Sequence, residues 1–182
     1  MRERKHSLLC VGLGALPLLS ALWMAPAQAT VMGFRGTLVY APCKIQAGDE
    51  NLSVDFGAVV DKYLYTNTRT LGKTFSLNLV DCDTAASSWV KLTFNGMENL
   101  NLPGLLAVTG VSGIGVGIET AGASAVQLPL NEQGPQNLLS TTSTTTTLSF
   151  KAYVQGEPFA LANKTITRGA FSATATFVLE YE

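Results

Sequence analysis

The chain has 182 residues, with 12 Lys and Arg against 13 Asp and Glu, three cysteines and a single histidine. So even a charge balance supplies no basic face for nucleic acid. The histidine, His6, lies among the first ten residues, and the length suits one domain with a short leader rather than two domains.

Residues 1–29 read as a secretory signal peptide. Arg2, Arg4 and Lys5 precede an apolar run from Leu8 to Trp23, and Ala27 and Ala29 frame a small-residue cleavage site before Thr30. The run is broken by Gly12, Gly14 and Pro17 and lacks a cationic stop, which argues against a membrane anchor. Its removal takes away His6, Cys10, three cations and Glu3, and leaves 9 Lys and Arg against 12 Asp and Glu, with Cys43 and Cys82 as the remaining thiols. An exported chain meets an oxidising compartment, so this pair is expected to form one structural disulfide. No C-x-x-C motif and no histidine remain to build a metal site instead.

From Thr30 onward the apolar period is two almost everywhere. The predicted strands are Val31–Tyr40, Leu52–Phe56, Lys73–Val80, Trp89–Phe94, Gly115–Glu119, Ala125–Leu130, Thr144–Val154 and Phe171–Tyr181. Asp61–Leu71 has room for a short turn. Turn-rich stretches separate the strands, at 47–51, 66–72, 83–88, 95–104, 120–122, 131–136 and 155–164. The threonine-rich run Ser140–Thr147 passes into the alternating Leu148, Phe150, Ala152 and Val154, and reads as a solvent-facing strand entry. Short strands without helical crossovers predict an all-β antiparallel sandwich, immunoglobulin-like in outline.

Motifs for chemistry are scarce. There is no G-x-S-x-G elbow and no P-loop. The G-x-G-x-G spacing of Gly113, Gly115 and Gly117 lies in an apolar strand pattern, without the helix a dinucleotide site needs. Asp81 and Asp83 flank Cys82 as solvated turn residues. No enzyme, metal or cofactor is expected, and no small-molecule substrate.

The informative features are the two ends. Phe171, Ala173, Ala175, Phe177, Leu179 and Tyr181 share one face of a strand that runs to Glu182 with no turn signal after it. At the other end Thr30, Met32, Phe34, Gly36 and Leu38 share one face of a segment directly behind the leader. An edge strand with apolar side chains over an uncovered core is a defect that a donated strand would repair by β-augmentation. Burying Met32, Phe34 and Leu38 would contribute about 5 to 8 kcal/mol before ordering costs. Gly36 within that row suits close backbone approach. Periodicity alone equally allows Val31–Tyr40 to be the first strand of a complete domain.

Gly33–Phe34–Arg35–Gly36, then Ala41–Pro42–Cys43, then Leu79–Val80–Asp81–Cys82 and the ending ATATFVLEYE resemble the pilin subunits of chaperone–usher fimbriae of Gram-negative bacteria. The likeness is greatest to the minor tip and adaptor subunits of P and type 1 pili, whose pattern Leu92–Gly110 also resembles. The resemblance implies an incomplete immunoglobulin-like sandwich lacking its final strand, completed by a donor strand from a periplasmic chaperone or, at the outer-membrane usher, from an adjacent pilin subunit. It implies export through the periplasm to the cell surface, and a supporting role in adhesion.

Carried onto this chain, residues 1–29 are the signal peptide, 30–40 the donor segment and 41–182 the pilin domain. The donor face is Thr30, Met32, Phe34, Gly36 and Leu38. The strand that meets the chaperone carries Phe177, Leu179 and Tyr181, with the Glu182 carboxylate held by chaperone cations, and Cys43 and Cys82 match the pilin disulfide. The short extension before Phe34 favours an adaptor over a rod subunit, and the length leaves no room for a tip adhesin's second domain. A terminating subunit, whose groove beside Phe177 and Leu179 would be blocked, stays open. A different class of function is a self-contained secreted carbohydrate-binding module using Trp89, Tyr63 and Tyr65. The plainer expectation places Trp89 in the core and the two tyrosines in an exposed loop.

Overall fold

A computed structural model describes residues 40–182 of the chain. The leader and the donor-face residues Thr30, Met32, Phe34, Gly36 and Leu38 lie outside the described residues. In chain order the elements are β1 (Lys44–Ile45), a 3-10 turn (Asp49–Asn51), α1 (Asp61–Asn67), β2 (Lys73–Val80), β3 (Trp89–Gly96), β4 (Glu98–Asn99) and β5 (Leu102–Ala107). They continue with β6 (Ile114–Thr120), β7 (Gln133–Leu138), β8 (Thr146–Gly156), α2 (Pro158–Asn163) and β9 (Ala175–Tyr181). One sheet has the order β1-β2-β8-β6-β5-β4 and the other β7-β3-β9. Among the described residues every pairing is antiparallel.

The alternation that predicts β2, β3 and β8 also decides what they bury. Leu77 and Leu79 of β2, Val90, Leu92 and Phe94 of β3, and Leu148 and Phe150 of β8 point between the sheets and form the core. Their odd-numbered or even-numbered neighbours, such as Ser76, Lys91 and Ser149, point outward because the strand period is two. Phe94 meets Phe150 edge-on with ring centroids 5.3 Å apart, and Phe75 lies 5.6 Å from Phe150. This aromatic cluster holds the two sheets together at one end of β3.

Strand β6 is covered on both faces. Ile114, Val116 and Ile118 enter the main core, while a Cβ at Gly117 would stand 2.2 Å from Cζ of Tyr153, so the ring occupies the space a side chain would need. Tyr153 packs there with Leu102 and Leu105. The Arg69 guanidinium caps its ring at 4.2 Å and donates to the buried Glu119 carboxylate at 2.8 Å. The glycine row in the sequence is therefore a packing feature of this sheet.

Cys43 and Cys82 are bonded, as expected, and close a loop of sequence separation 39. The bond secures the start of the described chain to the end of β2, beside the ladder of Lys44 with Val80 and Ile45 with Leu79. Asp81 and Asp83 sit in the solvated turn there, paired with Lys44 and the Tyr40 hydroxyl.

Several expectations need correction. Leu52–Phe56 is extended but enters no ladder, and Ala125–Leu130 contributes only a bridge of Gln127 to Glu119. Gln133–Leu138, placed partly in a turn, is a full edge strand against β3, and Leu102–Ala107 is a strand where the sequence suggested a turn running to Gly104. Pro158–Asn163 is a short helix with Pro at its first turn, where the missing N–H costs nothing. The threonine run stays a loop up to Thr145, and Thr146 is buried, accepting the Ser140 N–H. Trp89 is not in the core: it is 41% exposed, because the parity that buries Val90 and Leu92 turns it outward. Tyr63 and Tyr65 lie on α1 rather than in a loop.

Candidate functional site

Among the described residues the site is an open groove between the sheets. Strand β9 pairs with β3 from Val90 with Tyr181 to Gly96 with Ala175, and among the described residues its other edge has no strand partner. Its inward side chains, Ala175, Phe177, Leu179 and Tyr181, touch the core yet are only half-buried. Inward apolar side chains of the interior strands are buried except Phe75, which itself faces the gap, so this row lacks a cover that the other strands have.

Facing β9 across the gap is the stretch 52–56, which lacks a ladder of its own. It is tied down by other means. The Asp49 carboxylate accepts from the Asn78 backbone N–H at 2.7 Å and from its side-chain amide at 3.0 Å. Lys73 Nζ donates to the Asp55 carbonyl at 2.6 Å. Leu52, Val54 and Phe56 thus form one rim, and Ala173, Ala175 and Phe177 the other. Phe75, Phe94, Val116 and Ile118 make the floor of a cleft of about 630 Å³. The floor residues belong to the core or pack against it, so the cleft leaves one side of the core without a covering strand among the described residues. Phe56 stacks on Phe171 at 6.2 Å and narrows the far end. Beyond it the Arg168 guanidinium donates twice to Asp61 Oδ2, at 2.9 and 2.6 Å.

Of the predicted acceptor residues, Phe177 lines the cleft, and Leu179 and Tyr181 continue its row along β9 beyond the cleft's lining. Phe177, Leu179 and Tyr181 lie in a single row, and burial pushes the Tyr181 hydroxyl above its ordinary value. Glu182 is already engaged within the chain. Its side chain takes Lys91 Nζ at 2.5 Å and Gln136 Nε2 at 2.7 Å, and these bonds hold its carboxyl below the usual range. Its backbone exchanges hydrogen bonds with Trp89. Sequence reasoning missed the opposite rim as part of the site. The period-two signal of Leu52, Val54 and Phe56 is present in the sequence, where it predicts an ordinary strand.

Trp89, Tyr63 and Tyr65 do not form a common platform. Trp89 pairs with Leu138 beside Glu182, about 17 Å along β3 from Phe94 at the strand spacing. Tyr63 sits near Phe56 and Leu71, at the end of the groove where Phe94 lies. Among the described residues no cluster of His, Cys, Asp and Glu could hold a metal.

Residues 32–182 match the family model described as fimbrial protein. The fimbrial adapter PapK of Escherichia coli is 34% identical over 172 residues, covering 92% of this chain and 97% of that protein. Among solved structures, the P pilus rod subunit PapA is similar with a TM-score of 0.67 at 26% identity, covering 78% of this chain and all of that one, that is 100%. A subunit of a chaperone–usher pilus, solved to explain rod uncoiling, is similar with a TM-score of 0.68 at 27% identity, over 87% of this chain and 98% of that one. A sandwich left open beside its last strand is thus the shape of a chain that belongs to the fimbrial protein family.

Proposed function

We propose that this chain is a structural subunit of a chaperone–usher fimbria, an adaptor-type minor subunit rather than a rod or tip subunit. The observation that carries the reading is the half-buried row of β9 above an open apolar cleft. A strand laid along β9 would pair with its free edge and cover Ala175, Phe177 and Leu179 with alternate side chains. A periplasmic chaperone supplies that strand first, and the residue 30–40 segment of an adjacent subunit replaces it at the outer-membrane usher. The chain's own Thr30, Met32, Phe34, Gly36 and Leu38 serve the next groove in the same way. The similarity to PapK supports the adaptor assignment. The open cleft beside Phe177 supports a subunit that accepts a strand over one that terminates the fibre.

The test is denaturant unfolding of oxidised residues 30–182, alone and with a second copy of 30–40 joined after Glu182 by a flexible linker. The appended strand is expected to raise stability by several kcal/mol, within the roughly 5 to 8 kcal/mol available from Met32, Phe34 and Leu38. A stable monomer that gains nothing would refute strand acceptance and return the self-contained module to the front.

A further inference from the structure

Beside the Phe171 end of the groove lies a second apolar surface that the groove itself does not use. Val60 is 56% exposed, Tyr63 41% and Leu71 81%, and they surround a shallow recess of about 630 Å³. Phe56 lines both this recess and the groove, so the two surfaces are continuous. Scattered exposed apolar residues need no explanation, but a contiguous group at the mouth of a binding groove does.

Two further facts choose its occupant. All strand pairings among the described residues are antiparallel. A strand that completes the small sheet in the same pattern runs against β9, and leaves the groove beside Phe171. The donor segment is also tightly joined to its own domain. Only four residues lie between Leu38 and Cys43, which is pinned to Cys82, so the donor's domain begins within about 17 Å of Leu38 along the chain.

We infer that the Val60, Tyr63 and Leu71 surface seats the folded domain of the neighbouring fimbrial subunit that donates its strand, so that two subunits meet domain to domain as well as strand to groove. The inference rests on the strand-acceptance reading above. The short tether holds the two domains at high effective concentration, so even a small apolar contact lengthens the life of the joint.

The experiment uses the mature chain as acceptor, supplied as its complex with the periplasmic chaperone, and two donors. One is the synthetic peptide of residues 30–40. The other is the mature chain whose own groove is filled by a linked copy of 30–40, leaving its N-terminal segment free with a domain behind it. Dissociation of each joint is followed by challenge with excess labelled peptide. The domain-bearing donor is expected to stay bound about ten times longer than the peptide. Leu71→Ser with Val60→Ser in the acceptor should reduce that lifetime to the peptide's, leave the peptide's own lifetime unchanged, and leave the unfolding midpoint of these exposed sites unmoved. Trp89→Ser, at the other end of the groove, should change nothing. Equal lifetimes for the two donors, or a gain abolished by Trp89→Ser instead, would overturn the surface assignment while strand acceptance stands. Failure of both donors to bind would overturn strand acceptance and this inference together.

Discussion

Phe177→Ala separates an open groove from an ordinary edge strand. Phe177 lies opposite Phe94 on β9, lines the cleft and is half-buried. Truncating a fully buried phenylalanine costs roughly 3 to 5 kcal/mol, and one with half its surface in water about half of that. In the chain without a donated strand the substitution should therefore cost about 2 kcal/mol, scaling by exposure. Once a strand covers the row, the full cost of roughly 3 to 5 kcal/mol applies. Val90→Ala is the internal control, because Val90 is already fully buried at 0% exposure and should cost about 2 to 3 kcal/mol in both forms. Urea unfolding of each variant, with and without the linked copy of 30–40, yields the double difference. If Phe177→Ala cost the same in both forms, the donated strand would not lie over this row, and the groove assignment would fail.

Other consequences can be measured with less preparation. Replacing Cys43 and Cys82 together by serine should lower stability by roughly 4 kcal/mol from the freed loop, read as a shift in the urea midpoint. Gly117→Ala puts a Cβ 2.2 Å from the Tyr153 ring and should cost about 1 to 3 kcal/mol by overpacking, with Gly122→Ala, which meets nothing within 4 Å, as the neutral comparison. Asp61 and Glu182 are both held below the usual carboxyl range, Asp61 chiefly by the hydrogen bond from Arg168 and Glu182 chiefly by that from Lys91. Because the folded state binds fewer protons, their contribution is complete above the ordinary carboxyl range near pH 4 and is lost as pH falls through the lowered folded values. Asp61→Asn should flatten the acid limb of a stability profile taken between about pH 2 and 6, and salt should shrink the difference, since Arg168 is exposed.

The legible parts of the fold are those where alternation and burial agree. β2, β3 and β8 each present three or more apolar residues of one parity to the core, and their observed limits lie within two residues of the predicted ones. β7 was not legible, because QGPQNL has no β-branched residue and carries Gly134 and Pro135. It is a strand only because β3 pairs with it. The ladder shifts between Lys91 and Thr93, and a Cβ at Gly134 would stand 2.6 Å from the Leu92 carbonyl. That is tertiary context overriding propensity. The opposite error occurred at 52–56, where alternation was present but the pairing partner was not. Periodicity reports which face is apolar, and says nothing about whether a neighbouring strand exists. Phe177, Leu179 and Tyr181 were legible for the same reason, since one face of β9 is apolar whatever covers it. The rim from Leu52 to Phe56 was not, because two segments far apart in sequence meet only in the folded domain.

The Cys43–Cys82 bond also decides how the domain carries tension. In a fibre joined through donated strands, a pull on one subunit enters by its donor segment and reaches Cys43 a few residues later. From there the shortest covalent route runs through the sulfurs to Cys82 and bypasses the 39-residue separation that contains β1, α1 and β2. That loop would otherwise pay out about 130 Å of extended chain. With the bond in place none of it can be drawn out, and the load passes directly to the turn beyond β2. Under stress the domain is thus shorter, in mechanical reach, than its sequence would make it.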